Sequence, residues 1–168
     1  SIWCVGHSDV FGMGVDVNET WCKRLQEISG LRTVNLGIAG AAWDTISRTI
    51  VCGLKSYKPK HIIVQATTPD RKEFITEKFQ QVVLPSLPNN MLPHKNVWAD
   101  HDNETAQYQV EKNIELIRAV YKDVIIFDIP NRWDLIRQDP AADNQHIGPS
   151  THLQVSHYLN QRLKQSEQ

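Results

Sequence analysis

The sequence has no apolar run longer than a few residues, no excess of either charge and no even set of cysteines. A helix that spans a bilayer needs about 20 consecutive apolar residues, so no membrane span is expected. Eighteen basic against nineteen acidic side chains leave a formal net charge of -1, which gives no electrostatic case for nucleic acid or an anionic membrane surface. Cys4, Cys22 and Cys52 are odd in number and lack the spacing of metal ligands. They read as small buried residues in a reducing setting, with room for one disulfide. No secretory signal pattern is present, and a cytoplasmic setting is the expectation. The first residue is Ser1 rather than Met and strand-like sequence begins at once, so the chain reads as processed or excised from something longer. Nucleotide motifs are missing too. Gly12-Met13-Gly14 lacks the third glycine of a dinucleotide fingerprint, Leu36 stands where an acidic residue would close a second strand, and there is no P-loop.

The residues that are present form a regular pattern. At 168 residues and 40% apolar, the chain has the size and composition of one globular domain spanning 1–168. Four β-rich runs, "IWCV" (2–5), "TVNL" (33–36), "HIIVQA" (61–66) and "VIIFDI" (124–129), alternate with helical patterns. The first helix is expected from an Asn18 cap to a Gly30 stop, with Trp21, Leu25 and Ile28 on one face. The second runs to about Tyr57 with Ile46, Ile50 and Leu54 in register, and Pro59 breaks the chain before the third strand. A long helix carries Val110, Ile114, Ile117 and Tyr121 as a stripe, and the last starts near Pro149 with His152, Val155, Leu159 and Leu163 along one side. Alternating strands and helices imply right-handed crossovers and an open parallel α/β sheet covered on both faces. Residues 71–103 break the regularity. They read as a long loop or insertion able to cover a site at the carboxyl ends of the strands.

The unusual stretch is "VGHSDVFGMGV" (5–15), where the first strand stops at Gly6 and Ser8 sits two positions on, among glycines. Alone this is an ordinary turn. A serine hydroxyl becomes a nucleophile only when a base takes its proton, and a histidine steadied by a carboxylate is the usual base. "DNQHIGPSTH" (143–152) supplies both, with Asp143 and His146 three residues apart just before the last helix. That spacing lets the carboxylate reach Nδ1 and leaves Nε2 to face Ser8. The alternative is that Asp143 only satisfies backbone donors and His146 is a surface histidine.

These blocks together resemble the SGNH, or GDSL-type, hydrolases, a family of serine esterases and acyl-hydrolases. Gly6-His7-Ser8 matches the family's Gly-Asp-Ser turn, and "FGMGV" and "ETW" are similar to the family's residues just after that turn. "NLGIAG" matches the second block, with Gly40 as the equivalent glycine, and Asp143 and His146 match the last. The resemblance covers nearly the whole chain. It implies a flavodoxin-like three-layer α/β/α sandwich, no cofactor, and an ester substrate, either a small molecule or a glycan. It also implies Ser8 as nucleophile, His146 as base, Asp143 as its partner, and an oxyanion hole from the amides of Ser8 and Gly40.

The chain departs from the family at two places. His7 replaces the aspartate of the first block, and the third block, Gly-x-Asn-Asp, reads "ATTPD" (66–70). Asp70 aligns with the final acid, but the asparagine that donates to the oxyanion falls on Pro69 or, with a shift, Thr68. Proline has no donor and threonine only a hydroxyl, leaving Thr67 or Thr68 as weak third contacts. Losing one such donor typically costs on the order of 10²–10³ in turnover, so slow hydrolysis is expected. The departures equally suit a weak or inactive domain that keeps the fold for binding.

Three residues near the motifs, Trp43, His7 and Asp9, are candidates to line a substrate pocket, although an aromatic at a helix start is more often core. His94 and Trp98 lie in the long loop and could touch substrate only by location. His7, Asp9, His146 and His152 show no compact spacing for a metal. His152 is expected to pack at the helix start, bonded to a neighbouring backbone group.

Overall fold

The computed structural model describes residues 1–69, 71–73, 82–83, 103–129 and 139–166. Four parallel strands form the sheet: β1 (Ile2–Gly6), β2 (Thr33–Gly37), β3 (His61–Gln65) and, after a short antiparallel pair β4 (Lys72–Glu73) and β5 (Val82–Val83), β6 (Ile125–Phe127). Their order is β2-β1-β3-β6, so the chain leaves β1 toward one edge and then returns to its other side. The helices are α1 (Ser8–Phe11), α2 (Trp21–Ser29), α3 (Trp43–Leu54), α4 (Asn103–Val120) and α5 (Pro149–Ser166).

The apolar strands are uninterrupted because both faces are covered. In β1, Ile2 and Cys4 join a cluster with Trp21, Leu25, Val155, Leu159 and Leu163, on the α2 and α5 side. Trp3 and Val5 point the other way, to Trp43, Ile46, Ile50 and Ile117 on α3 and α4. Successive strand side chains alternate faces, so one five-residue strand feeds two cores. The result is a three-layer α/β/α sandwich, as the sequence pattern predicts. No helix among the described residues is long and apolar enough to cross a membrane.

Element ends differ from expectation in instructive ways. Helix α2 is capped by Thr20, whose Oγ1 accepts the Lys23 amide at 3.3 Å. Asn18 instead lies in a 3-10 turn (Val17–Glu19) whose own cap is Asp16. The buried face of α2 is Trp21, Cys22 and Leu25, while Ile28 is 36% exposed. Gly30 ends the helix at φ 71°, as expected. Helix α3 stops at Leu54, before Tyr57, and the fourth strand contracts to three residues. Cys4 and Cys22 are buried but Cys52 is exposed, which corrects the expectation that all three are core residues. All three thiols are free, so the disulfide left open by the sequence is not formed.

Candidate active site

β1 ends at Gly6, paired in register with Gly37 of β2. His7 is extended and caps α1, and Ser8 is that helix's first residue, 6% exposed. His7 Nδ1 lies 3.4 Å from Ser8 Oγ. Burial lowers the His7 pKa, the Asp9 carboxylate works against it, and the charges of Arg71 and His146 add to the lowering. The nucleophile candidate therefore has a neutral imidazole beside it near pH 7, with a guanidinium and a second imidazole close enough to influence that ring.

The second imidazole comes from the loop before α5. Pro140 bridges to Ile147, the Ala141 amide donates to His146 O at 2.9 Å, and Gly148 donates to Asp139 O at 2.8 Å, closing the loop on itself. Within it Asp143 Oδ1 accepts the amides of Gln145 (3.0 Å) and His146 (3.1 Å), and Oδ2 meets His146 Nδ1 at 2.6 Å. The two amides and the imidazole hold the Asp143 pKa down to about 2. An ionised carboxylate only accepts, so His146 Nδ1 carries the proton of this contact. Asp139 fastens the loop to α5, its carboxylate accepting the amides of Ser150 and Thr151 at 2.9 and 3.0 Å.

Gly14 joins this loop to the serine turn. Its carbonyl accepts the Ala142 amide at 3.0 Å. A Cβ added there would stand 2.8 Å from the Ala141 Cβ and 3.1 Å from Asp143 Cγ, so only glycine allows the approach. The Gly14–Ala142 bond sets the Asp143–His146 loop beside the turn that carries Ser8 and His7, after the carboxyl end of β1 where the strand order reverses, while the contact made by Ser8 Oγ is with His7 Nδ1.

On the β2 and β3 side, Gly40 adopts φ 75° with open space where a Cβ would be, so its requirement is conformational rather than steric. The turn it belongs to is closed by Ala41 N donating to Ile38 O at 3.0 Å. Thr67 Oγ1 donates to the Ala41 carbonyl at 2.8 Å and accepts from Arg71 Nη1 at 3.1 Å. Its single hydroxyl proton is therefore committed to Ala41. Thr68 and Pro69 are exposed, and Asp70, like His94 and Trp98 and most of 71–103, lies outside the described residues.

The three proposed lining residues divide. His7 contacts Ser8. Asp9 turns toward the core, where Oδ2 accepts from Gln65 Nε2 at 3.3 Å. Trp43 is a core residue, 4% exposed, with Nε1 donating to Thr67 O at 3.0 Å. One edge of it reaches a cavity of about 230 Å³ shared with Pro69, Arg71, Lys72 and Gln109. His152 is fully buried and bonds a backbone group, but a distant one: Nδ1 accepts the Trp21 amide at 3.1 Å. Sequence reasoning missed Arg71 and Asp139. Asp139 acts eleven residues ahead of the amide it caps, and only the break in periodicity at "ATTPD" pointed toward Arg71.

No family model and no curated protein matches the sequence. Solved structures do match. A lipolytic protein of the G-D-S-L family from Veillonella parvula superposes with a TM-score of 0.56 at 14% identity, over 93% of each chain. The esterase EstA from Pseudoalteromonas sp. gives 0.53 at 13% identity over 98% of each chain. The fold is that of the SGNH hydrolases. An acetyl xylan esterase, Est2A, from Butyrivibrio proteoclasticus shares it at a TM-score of 0.55 and 12% identity, over 98% of this chain and 63% of that one. In this chain the serine turn follows β1, the glycine turn follows β2 and the Asp143–His146 loop precedes α5.

Proposed function

We propose that this protein is a serine hydrolase of the SGNH type that cleaves a carboxylic ester of a small molecule or a glycan. The observation that carries the reading is the 2.6 Å Asp143–His146 contact on a loop bonded to the turn just after Ser8. Esterases and lipolytic proteins among the structural neighbours support the reaction class, and one neighbour named for acetyl xylan supports a glycan among the substrates.

His146 Nε2 takes the Ser8 hydroxyl proton while Oγ bonds to the ester carbonyl carbon. Asp143 stabilises the imidazolium that forms. The amides of Ser8 and Gly40 bind the oxyanion, with no hydroxyl help from Thr67. The tetrahedral centre then collapses, and the departing alkoxide receives the proton from His146. Water, deprotonated by the same imidazole, attacks the acyl-serine and releases the acid and the free Ser8.

A second reading, a binding or structural domain that kept the fold, draws on His7 in place of the first-block acid and the lack of an asparagine at Thr68 or Pro69. Short p-nitrophenyl esters and a fluorophosphonate probe separate the two. The hydrolase reading expects turnover and labelling that both vanish in Ser8→Ala. Labelling that persists in a folded Ser8→Ala protein, or no turnover with any ester, would reject it.

A further inference from the structure

The loop after β3 offers no side-chain amide to an oxyanion among its described residues, yet a cation sits against the oxyanion turn. Arg71 Nη1 donates to Thr67 Oγ1 at 3.1 Å and lies 3.5 Å from the Ala41 carbonyl, which also receives the Thr67 hydroxyl at 2.8 Å. One carbonyl thus takes a direct guanidinium contact and the end of an Arg71→Thr67→Ala41 chain. Ala41 is next to Gly40, whose φ of 75° depends on how this turn is held. Trp43 Nε1 pins the other side by donating to Thr67 O at 3.0 Å.

We propose that Arg71 is the positioning residue of the oxyanion hole, standing in for the absent asparagine by fixing the Gly40–Ala41 turn and adding positive charge behind its amides. The inference rests on the serine-hydrolase reading. Charge-assisted bonds are roughly twice as strong as neutral ones, so a guanidinium anchors the turn better than an amide would. Its charge also reaches the ring beside the nucleophile: burial chiefly lowers the pKa of His7, 3.4 Å from Ser8 Oγ, and Arg71 adds to that lowering. Negative charge on the substrate oxygen appears only in the transition state, so this help acts on kcat and leaves KM nearly untouched. The slow turnover expected from the missing asparagine is correspondingly relieved.

The test compares wild type, Ser8→Ala, Arg71→Gln and Arg71→Lys on short p-nitrophenyl esters, with a thermal melt for each. Arg71→Gln is expected to lose about 10- to 100-fold in kcat, less than the 10²–10³ of a direct oxyanion donor because Arg71 acts through the turn, with KM within about three-fold. Arg71→Lys, which keeps the charge, is expected to recover most of that loss. Thr67→Val keeps the guanidinium and its direct contact with Ala41 but removes the hydroxyl relay, so it should lower kcat by a smaller factor and serves as the second variant should Arg71→Gln melt below the assay temperature. Thr68→Asn in the wild-type background should raise kcat by less than about three-fold, because the role is already filled. The inference is overturned by an Arg71→Gln kcat within about two-fold of wild type, by a loss confined to KM, by Lys and Gln variants that are equally impaired, or by a Thr68→Asn gain of about ten-fold or more. These failures leave Ser8-dependent hydrolysis intact; its absence in wild type would instead defeat the underlying hydrolase reading.

Discussion

Asp143 shares one carboxylate between loop and imidazole: Oδ1 accepts the amides of Gln145 and His146, and Oδ2 holds His146 Nδ1. Its pKa of about 2 lies below the ordinary carboxylate value of 3.8, so its contribution to stability is full above that value and is lost progressively as pH falls from there through about 2. An acid limb in the rate profile at milder pH therefore does not come from Asp143. Asp143→Asn preserves an acceptor for the two amides but offers the ring an NH₂ group, which favours the wrong tautomer. Steady-state kinetics should show kcat lowered by about 10²- to 10⁴-fold with KM little changed. A loss under about three-fold would mean that the carboxylate only shapes the loop. Asp143 and His146 were legible in the sequence because both partners sit within one short loop ahead of a helix. Asp9 was not, since it follows Ser8 in the short helix α1 and only the position of Gln65, 56 residues on, turns it inward. Arg71 was equally hidden, its meaning residing in a carbonyl 30 residues earlier.

At the scale of elements, the clearest tertiary bond is the one between α2 and α5. His152 Nδ1 accepts the Trp21 amide at the start of α2, so a first-turn donor that the Thr20 cap does not reach is satisfied across the fold. Helix existence could be read from periodicity, whereas this donor is met from α5, 131 residues on. Burial is the main reason that the His152 pKa falls to about 4, with Asp9 and Asp139 opposing it and Arg24 assisting. The unfolded chain takes up its proton near 6.5 and the folded chain only near 4, so stability should decline as pH drops through that window. The full difference is on the order of 3 kcal/mol. Urea midpoints measured from about pH 7 to 4 should show the decline, and His152→Asn, which retains an acceptor for Trp21, should flatten it. An unchanged slope in that variant would assign the effect to other groups, His7 first, since its pKa is lowered in the same sense.

For the whole molecule, the sequence announced parallel strands and two covered faces, but not the order β2-β1-β3-β6. Strand order depends on which crossover goes to which side, and no local pattern carries that. It matters because open α/β sheets form their crevices at such a reversal, and the turns that carry Ser8 and Gly40 follow the two neighbouring strands β1 and β2. Core and crevice are built from different residues, so they should respond separately to mutation. Leu159 is fully buried in the cluster shared by α2, α5 and the sheet. It lies about 15 Å along α5 from Pro149 and the Asp143–His146 loop. Leu159→Ala leaves a cavity that costs about 2–5 kcal/mol, which in a chain of this length lowers the melting temperature by roughly 5–15 °C. Below the new transition kcat should stay within about two-fold of wild type, whereas Asp143→Asn should lose activity with little change in melting. A Leu159→Ala protein that is folded but inactive at low temperature would mean that the packing of α5 sets the position of the Asp143–His146 loop, and that the crevice is not independent of the core beneath it.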